Sequence, residues 1–274
     1  MLFWLLVSLT VVLLLIGIYL FMIASRPAKD WKLVPFLSFQ YAHRGLYTKD
    51  QTIPENSLAA FEQAVKNGYG AELDVQLSGD GQVVVFHDGN LERMCGLNQN
   101  LSSLTYPELK KFSLGQSQEK IPLFTDVLRL VDGRSPLIVE LKAGNNYVEL
   151  CRKTWDILKK YQGAYCIESF DPRIVRWFKK NAHRVIRGQL SDSYKNAPSV
   201  PPSLRFLLRG LFGNFLAKPH FIAYRHQDAK HSFNFKLCKN CFHLLTVAWT
   251  VREDDNLNEI LKDFDLIIFE HFLP

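Results

Sequence analysis

The stretch 71–88, AELDVQLSGDGQVVVFHD, decides how the rest of the chain is read. Glu72 and Asp74 stand two apart in a strand-like run, and alternate residues of a strand point to one face. Ser78-Gly79-Asp80-Gly81 is a turn signal, and the apolar run beyond it ends on His87 and Asp88. Folded as a hairpin, the segment returns His87 towards the two carboxylates. The link from Leu77 to Gln82 is too short for a parallel crossover, which needs about a dozen residues. Val83–Phe86 is therefore the return arm of a hairpin, outside any parallel sheet.

Outward from this hairpin, strand-like runs fall near residues 41, 72, 138, 165, 186, 222, 245 and 267. Helix-like runs at 57–67, 102–112, 125–131, 147–160, 172–181, 232–240 and 256–262 alternate with them, and Ser57, Ser102 or Ser103, and Thr125 stand at cap positions. Eight parallel strands with intervening helices predict an α/β fold, a (β/α)8 TIM-like barrel with the extra β-hairpin at its mouth. In such a barrel the reactive residues belong at the C-terminal ends of the strands.

Those ends carry a defined chemistry. His43 and Arg44 close the first strand, Glu72 and Asp74 the second, Glu140 and Lys142 the third, and Trp249 the seventh. Two imidazoles that titrate near neutrality, His43 and His87, suit paired general acid and base roles. Three carboxylates, Glu72, Asp74 and Glu140, suit a hard cation with oxygen ligands, Mg²⁺ or Ca²⁺. The alternative is that they pair with Arg44 and Lys142. Arg44 offers a forked pair of hydrogen bonds to a phosphate, and Lys142 a point charge. Glu55 either stands outside the metal's ligands or orients a histidine, and Asn56 either anchors its loop or touches substrate. Trp249 either stacks on substrate or belongs to the core, and Asp88 caps the turn after His87.

With these residues in view, the chain resembles the glycerophosphodiester phosphodiesterase family. The matching motifs are AHRG at 42–45, PENS at 54–57, ELDV at 72–75, GDG at 79–81, VVVFHD at 83–88 and VELK at 139–142, with ESF at 168–170 and AWTV at 248–251 downstream. The likeness runs from about Tyr41 to the C-terminus, and the block from His43 to Asp88 is the specific part. It implies Glu72, Asp74 and Glu140 as metal ligands. It also implies hydrolysis of a glycerophosphodiester, in which a glycerol hydroxyl attacks phosphorus and water then opens a cyclic phosphate. Two stretches depart from the pattern. Where the family has Thr-Asp-x-Pro after its last strand, this chain has Glu270-His271-Phe272-Leu273-Pro274, and a long insertion occupies Ser191 to Pro219.

Residues 1–24 are uncharged and almost wholly apolar, long enough to span a bilayer as one helix, with residues 25–39 as a polar link and 40–274 as the catalytic barrel. Arg26, Lys29 and Lys32 follow the apolar run and predict a single-pass anchor with the barrel on the cytoplasmic side. Trp31, Phe36 and Phe39 of the link sit either at the bilayer interface or under the barrel floor. Within the insertion, Leu204, Leu207, Leu208, Leu211, Phe212, Phe215 and Leu216 alternate with Arg205, Arg209 and Lys218. As a helix over 203–217 it would suit an anionic membrane surface or, equally, pack on the barrel face. The net charge is +6, but no basic run or basic–aromatic interleaving points to nucleic acid. Five cysteines, with no second pair to complete Cys238-x-x-Cys241, read as buried thiols of a reducing compartment. Oligomeric state is not encoded legibly. Two rival functions keep the same barrel: a phospholipase acting on lysophospholipids or N-acyl ethanolamine phospholipids, and a barrel that binds a phospho-ligand without turnover.

Overall fold

In the computed structural model, which describes residues 1–195, 197–198 and 200–274 and leaves the side chains of Asp30 and Trp31 undescribed, the strands follow the expected order. They are β1 (Tyr41–Ala42), β2 (Gly70–Leu77), β3 (Val83–Val85), β4 (Leu137–Leu141), β5 (Tyr165–Ser169), β6 (Ile186–Ser191), β7 (Phe221–Arg225), β8 (Leu245–Val251) and β9 (Leu266–Phe269). Every neighbouring pair in the ring is parallel, and β1 bonds to both β2 and β9, which closes it into a barrel of eight. β3 lies antiparallel on the far end of β2, with Val75 opposite Val85 and Leu77 opposite Val83. β3, the return arm of the hairpin read from 71–88, is thus the one strand outside the ring among the described residues.

Strand periodicity places the site. Tyr41, Ile138, Cys166, Ile186, Phe221, Val247, Leu266 and Ile268 form one buried cluster, the apolar filling of the lumen. Their out-of-phase neighbours, among them Leu73, Val139, Ile167, Ile222, Ile267 and Phe269, join a second cluster under the surrounding helices. Moving two residues along a strand keeps the same face. His43 therefore follows Tyr41, Glu140 follows Ile138, Glu168 follows Cys166, Trp249 follows Val247 and Glu270 follows Ile268. One glycine is required by this filling. A Cβ at Gly188 would lie 2.1 Å from the Phe221 ring.

The helices differ from expectation mainly at their starts. Ser57 does cap Leu58–Lys66, accepting from the Ala60 N–H at 3.1 Å. Thr125 is not a cap, because Phe124–Val131 begins ahead of it with Leu123 at the boundary. Residues 102–112 resolve into a 3-10 turn, Leu101–Ser103, and a short helix, Tyr106–Leu109, whose cap is a Thr105/Glu108 box rather than Ser102 or Ser103. The link 25–39 contains a helix, Asp30–Leu37, that polarity alone would not place. Leu33, Phe36 and Phe39 pack on the lumen cluster, and the Tyr41 hydroxyl donates to the Phe36 carbonyl at 3.1 Å. Phe36 and Phe39 thus lie under the floor, while the Trp31 side chain is outside the described residues. Of the cysteines, Cys151, Cys166 and Cys238 are buried, whereas Cys241 is exposed.

The apolar N-terminal run forms a 22-residue helix, Leu2–Ile23, of mean hydropathy 2.8, long and apolar enough to cross a bilayer. Its end is fastened to the barrel. Asn214 Nδ2 donates to the Ile23 carbonyl at 3.3 Å, and Lys218 Nζ to the Ala24 carbonyl at 3.0 Å. These groups satisfy terminal carbonyls that a helix cannot satisfy itself. The insertion is two helices, Pro202–Arg209 and Asn214–Ala217, instead of one over 203–217. The chain turns between them at Gly210–Gly213, with buried Leu211 at φ 56°.

His220, just before β7, is buried beneath this fastening and accepts from the Arg187 N–H at 3.3 Å. Burial, then the charges of Arg187, Lys32 and Arg26, push its imidazole down to about 3. A folded-state value below that of the unfolded chain gives stability that is complete above about pH 6.5 and is lost as pH falls towards 3. His220→Gln, which keeps an acceptor, should remove about 2 kcal/mol of the destabilisation seen between pH 7 and pH 4.5. Urea denaturation of both proteins at the two pH values measures it.

Candidate active site

After β1 the chain turns sharply, with Arg44 at φ 54° and Gly45 at φ 80°. A Cβ on Gly45 would stand 2.8 Å from that of Ala60, so only glycine fits. The turn aims the Arg44 N–H at Glu72 Oε2, 3.0 Å away. Asn56 also lies in the left-handed region, φ 55°, and its side chain clasps Asp74: Nδ2 donates to Oδ2 at 2.8 Å, and Oδ1 accepts from the Asp74 N–H at 3.4 Å. Two non-glycine residues held at positive φ thus both bond to the acidic pair.

Asp74 faces Glu140 across β2 and β4, and Glu140 faces Glu168 across β4 and β5. Glu72, Asp74 and Glu140 each bring an oxygen within 4.8 Å of the others, all three buried. Lys142 Nζ stands 3.1 Å from Asp74 Oδ1 and 2.8 Å from Glu140 Oε1, and Arg44 Nε 3.5 Å from Asp74 Oδ2. The ion-pair alternative therefore describes Asp74 and Glu140. It does not describe Glu72 or Glu168, which have no ion-pair partner among the described residues, and Glu168 Oε2 is buried with no hydrogen-bond partner.

The protonation balance follows from this crowding. Burial, then the charges of Asp74, Glu140 and Glu168, raise Glu72 well above the usual carboxylate range. Burial, then Glu140 and Asp74, do the same to Glu168. Burial would raise Asp74 too, but Lys142, His87 and Arg44 outweigh it and hold Asp74 low. Burial raises Glu140, with Lys142 opposing.

Each histidine has a carboxylate at Nδ1. His43 Nδ1 is 2.7 Å from Glu270 Oε2, and Glu270 also accepts from the Tyr47 hydroxyl at 2.9 Å and Arg252 Nε at 2.7 Å. Burial lowers His43, and the Glu270 hydrogen bond opposes it. His87 Nδ1 is 2.6 Å from Asp88 Oδ1, and Arg93 Nε donates to Asp88 Oδ2 at 2.7 Å. Arg93 continues to Glu55 at 2.7 Å, and Glu55 accepts from Arg44 Nη1 at 2.7 Å. Both imidazoles lie close enough to Asp74 to interact with its charge.

Residues 43–264 match the model of the glycerophosphoryl diester phosphodiesterase family. The chain belongs to this family. It is an enzyme of the phosphoric diester hydrolase class. A Bacillus subtilis protein provisionally named as a glycerophosphodiester phosphodiesterase is 28% identical over 219 residues, 77% of this chain and 84% of its own. A lysophospholipase D of Homo sapiens is 36% identical over 140 residues, 46% of this chain and 42% of its own, so the match spans less than half of that relative. Among solved structures, an Oleispira antarctica phosphodiesterase in complex with its product sn-glycerol-3-phosphate superposes with a TM-score of 0.69 at 22% identity, over 86% of this chain and 93% of its own. At that identity the likeness shows the fold.

Within this family barrel, the residues singled out from the sequence fall into three groups. His43, His87, Arg44, Glu72, Asp74, Glu140 and Lys142 meet at the mouth through the contacts above. Glu55 and Asn56 support them: Glu55 reaches His87 through Arg93 and Asp88, and Asn56 holds Asp74. Trp249 lies apart on the lumen cluster, edge-on to Phe170 at 5.5 Å, with its indole N–H buried and unbonded among the described residues. Arg44 differs from the fork expected of it, since Nη1 is engaged by Glu55. Sequence reasoning missed Arg93 and the role of Asp88 as partner of His87. It also passed over Glu270, although its place just beyond β9 was a usable signal. Glu270→Gln should lower turnover of a glycerophosphodiester about 10- to 100-fold, in line with the loss of a histidine's supporting carboxylate. The His43-dependent limb of its pH–rate profile should move to lower pH, because the charge that raises this imidazole is gone.

Proposed function

We propose that the enzyme hydrolyses glycerophosphodiesters to glycerol 3-phosphate and an alcohol, with His43 and His87 as the acid–base pair and a divalent cation, Mg²⁺ or Ca²⁺, held by Glu72, Asp74 and Glu140. The observation that carries this reading is the pair of imidazoles, each braced at Nδ1 by a carboxylate, beside one acidic cluster. The donor set fits a hard cation. Four buried carboxylates face two cationic side chains, and the two left over, Glu72 and Glu168, are those raised furthest above the usual carboxylate range. When bound, such a cation supplies charge neutralisation at the phosphate.

The rest falls to the chain. Arg44 and Lys142 attract and orient the diester anion. A glycerol hydroxyl gives its proton to Nε2 of one imidazole and attacks phosphorus, and the other imidazole protonates the departing alkoxide. Water then opens the cyclic phosphate with the proton transfers reversed. Fixing Nδ1 by a carboxylate leaves Nε2 as the exchanging nitrogen in both rings. Trp249 and Phe170, at the C-terminal ends of β8 and β5, form an aromatic wall beside the site. A phospho-ligand-binding barrel without turnover would not need this doubled bracing. The product bound to the Oleispira antarctica relative agrees with the proposed product.

The same reading divides the chain into an anchor (1–24), a link (25–39) and the barrel (40–274), with the anchor spanning a membrane and the barrel cytoplasmic. Arg26, Lys29 and Lys32 support that side. A second substrate class, lysophospholipids, is favoured by the human lysophospholipase D relative and by Leu204, Phe206 and Leu207, large apolar residues left exposed on the insertion.

His43→Ala and His87→Ala should each reduce glycerol 3-phosphate release from glycerophosphocholine by at least about 1,000-fold with near-UV circular dichroism unchanged. Chelation followed by Mg²⁺ or Ca²⁺ readdition should abolish and restore it, and full activity in either variant refutes the assignment. Choline release from glycerophosphocholine and from lysophosphatidylcholine, compared under one set of conditions, separates the two substrate classes by kcat/KM.

A further inference from the structure

The end of the Leu2–Ile23 helix runs beside helix Phe233–Asn240 in a fixed direction. Tyr19 bonds through its hydroxyl to Asn234 Oδ1, and four residues on, the Ile23 carbonyl accepts from the Cys238 thiol at 3.7 Å. Equal steps in the same sense make the two helices parallel. Helix Phe233–Asn240 follows β7 and returns the chain to the start of β8, so it runs from the mouth of the barrel down to its floor. The N-terminal helix descends the wall in the same sense, and its free part, Leu2–Ile18, projects beyond the mouth.

From this direction we infer that the catalytic mouth faces the bilayer, and that the rim between β6 and β8 is a lipid-docking surface for the leaflet on the barrel's side of the membrane. The inference rests on the membrane-spanning reading of Leu2–Ile23. Length supports it. With Tyr19–Ile23 fastened to the barrel wall, about 17 residues remain, and at about 1.5 Å each they cover about 26 Å of a core about 30 Å thick. The shortfall draws the rim into the membrane boundary. That rim is apolar where it must be: Phe206 is 56% exposed, Phe233 66%, Leu204 43% and Leu207 42%. It sits at mouth level, because Ser191 Oγ, at the end of β6, donates to the Leu208 carbonyl at 3.2 Å. The lipid-facing side of the anchor stays apolar to its last turn, with Phe21 59% exposed. Between rim and anchor opens a cavity of about 570 Å³, lined by Tyr19, Phe206, Phe212 and Phe233 with Lys195 and Arg209. A lining that combines aromatic side chains with two cations matches acyl chains and the phosphate headgroups they carry. The floor presents Val34 and Leu37 to solvent but lies at the opposite end from the projecting helix.

The test uses the full chain, labelled with 5-fluorotryptophan, in phosphatidylcholine nanodiscs with and without a lipid carrying gadolinium on its headgroup. Phe206→Trp adds a reporter on the rim, and Val34→Trp one on the floor. Both positions are exposed, and circular dichroism melting checks each fold. The ¹⁹F resonance of the Phe206→Trp reporter should lose intensity with the gadolinium lipid, and that of Val34→Trp should keep it. Loss at Val34→Trp alone, or at neither while the protein resists carbonate extraction, overturns the orientation with the anchor intact. Carbonate extraction of the protein with neither resonance affected overturns the membrane-spanning reading, and the orientation with it.

Discussion

Four carboxylates buried in one barrel lumen, with two cationic side chains to balance them, form the constraint on which the site's architecture depends. Charges taken from water are tolerated only when paired and hydrogen-bonded. Asp74 meets that condition through Lys142, Arg44 and Asn56. Glu72 and Glu168 do not, and burial with like-charge neighbours pushes both towards the protonated form. The strained turns at Arg44 and Asn56 make sense in this setting, because each brings a donor to the acidic pair. A crowded acidic lumen and an unfavourable local backbone are two sides of one arrangement.

The histidines are held by longer chains of contact. His43 leans on Glu270, which Tyr47 and Arg252 secure from the other side. His87 leans on Asp88, which is tied through Arg93 and Glu55 back to Arg44, the neighbour of His43. The loop after β1, the hairpin and the chain beyond β9 thus share one polar network around the mouth. Below it the lumen is filled by aliphatic and aromatic side chains that exclude water. The same strands supply both levels, because two residues of travel change the layer without changing the face.

The N-terminal apolar helix belongs to the same architecture. Its last turn is bonded to the insertion and to the helix after β7, so barrel and apolar helix form one packed unit at the point where they meet. In a freely jointed tether the direction of the apolar helix would say nothing about the mouth. Here the docking contacts fix that direction.

Period-two alternation, the Ser-Gly-Asp-Gly turn and the spacing of helical runs were enough to read eight parallel strands and one hairpin from the residues alone, since these are local properties of the chain. The clustering of His43, Glu72, Asp74, Glu140 and Lys142 was legible for the same reason, as strand ends in a barrel have one destination. Arg93 was not legible, because its partner Glu55 is 38 residues away, and Glu270, though visible at a strand end, meets His43, 227 residues away, only when the ring closes. Polarity marked a link over 25–39 and left Phe36 either at the interface or under the floor; Leu33 and Phe36 pack on the floor, within a helix that composition did not place. Composition likewise identified an apolar helix but could not orient it. Its direction depends on contacts between Tyr19 and Asn234 and between Ile23 and Cys238, partners about 215 residues apart that exist only after the chain has folded.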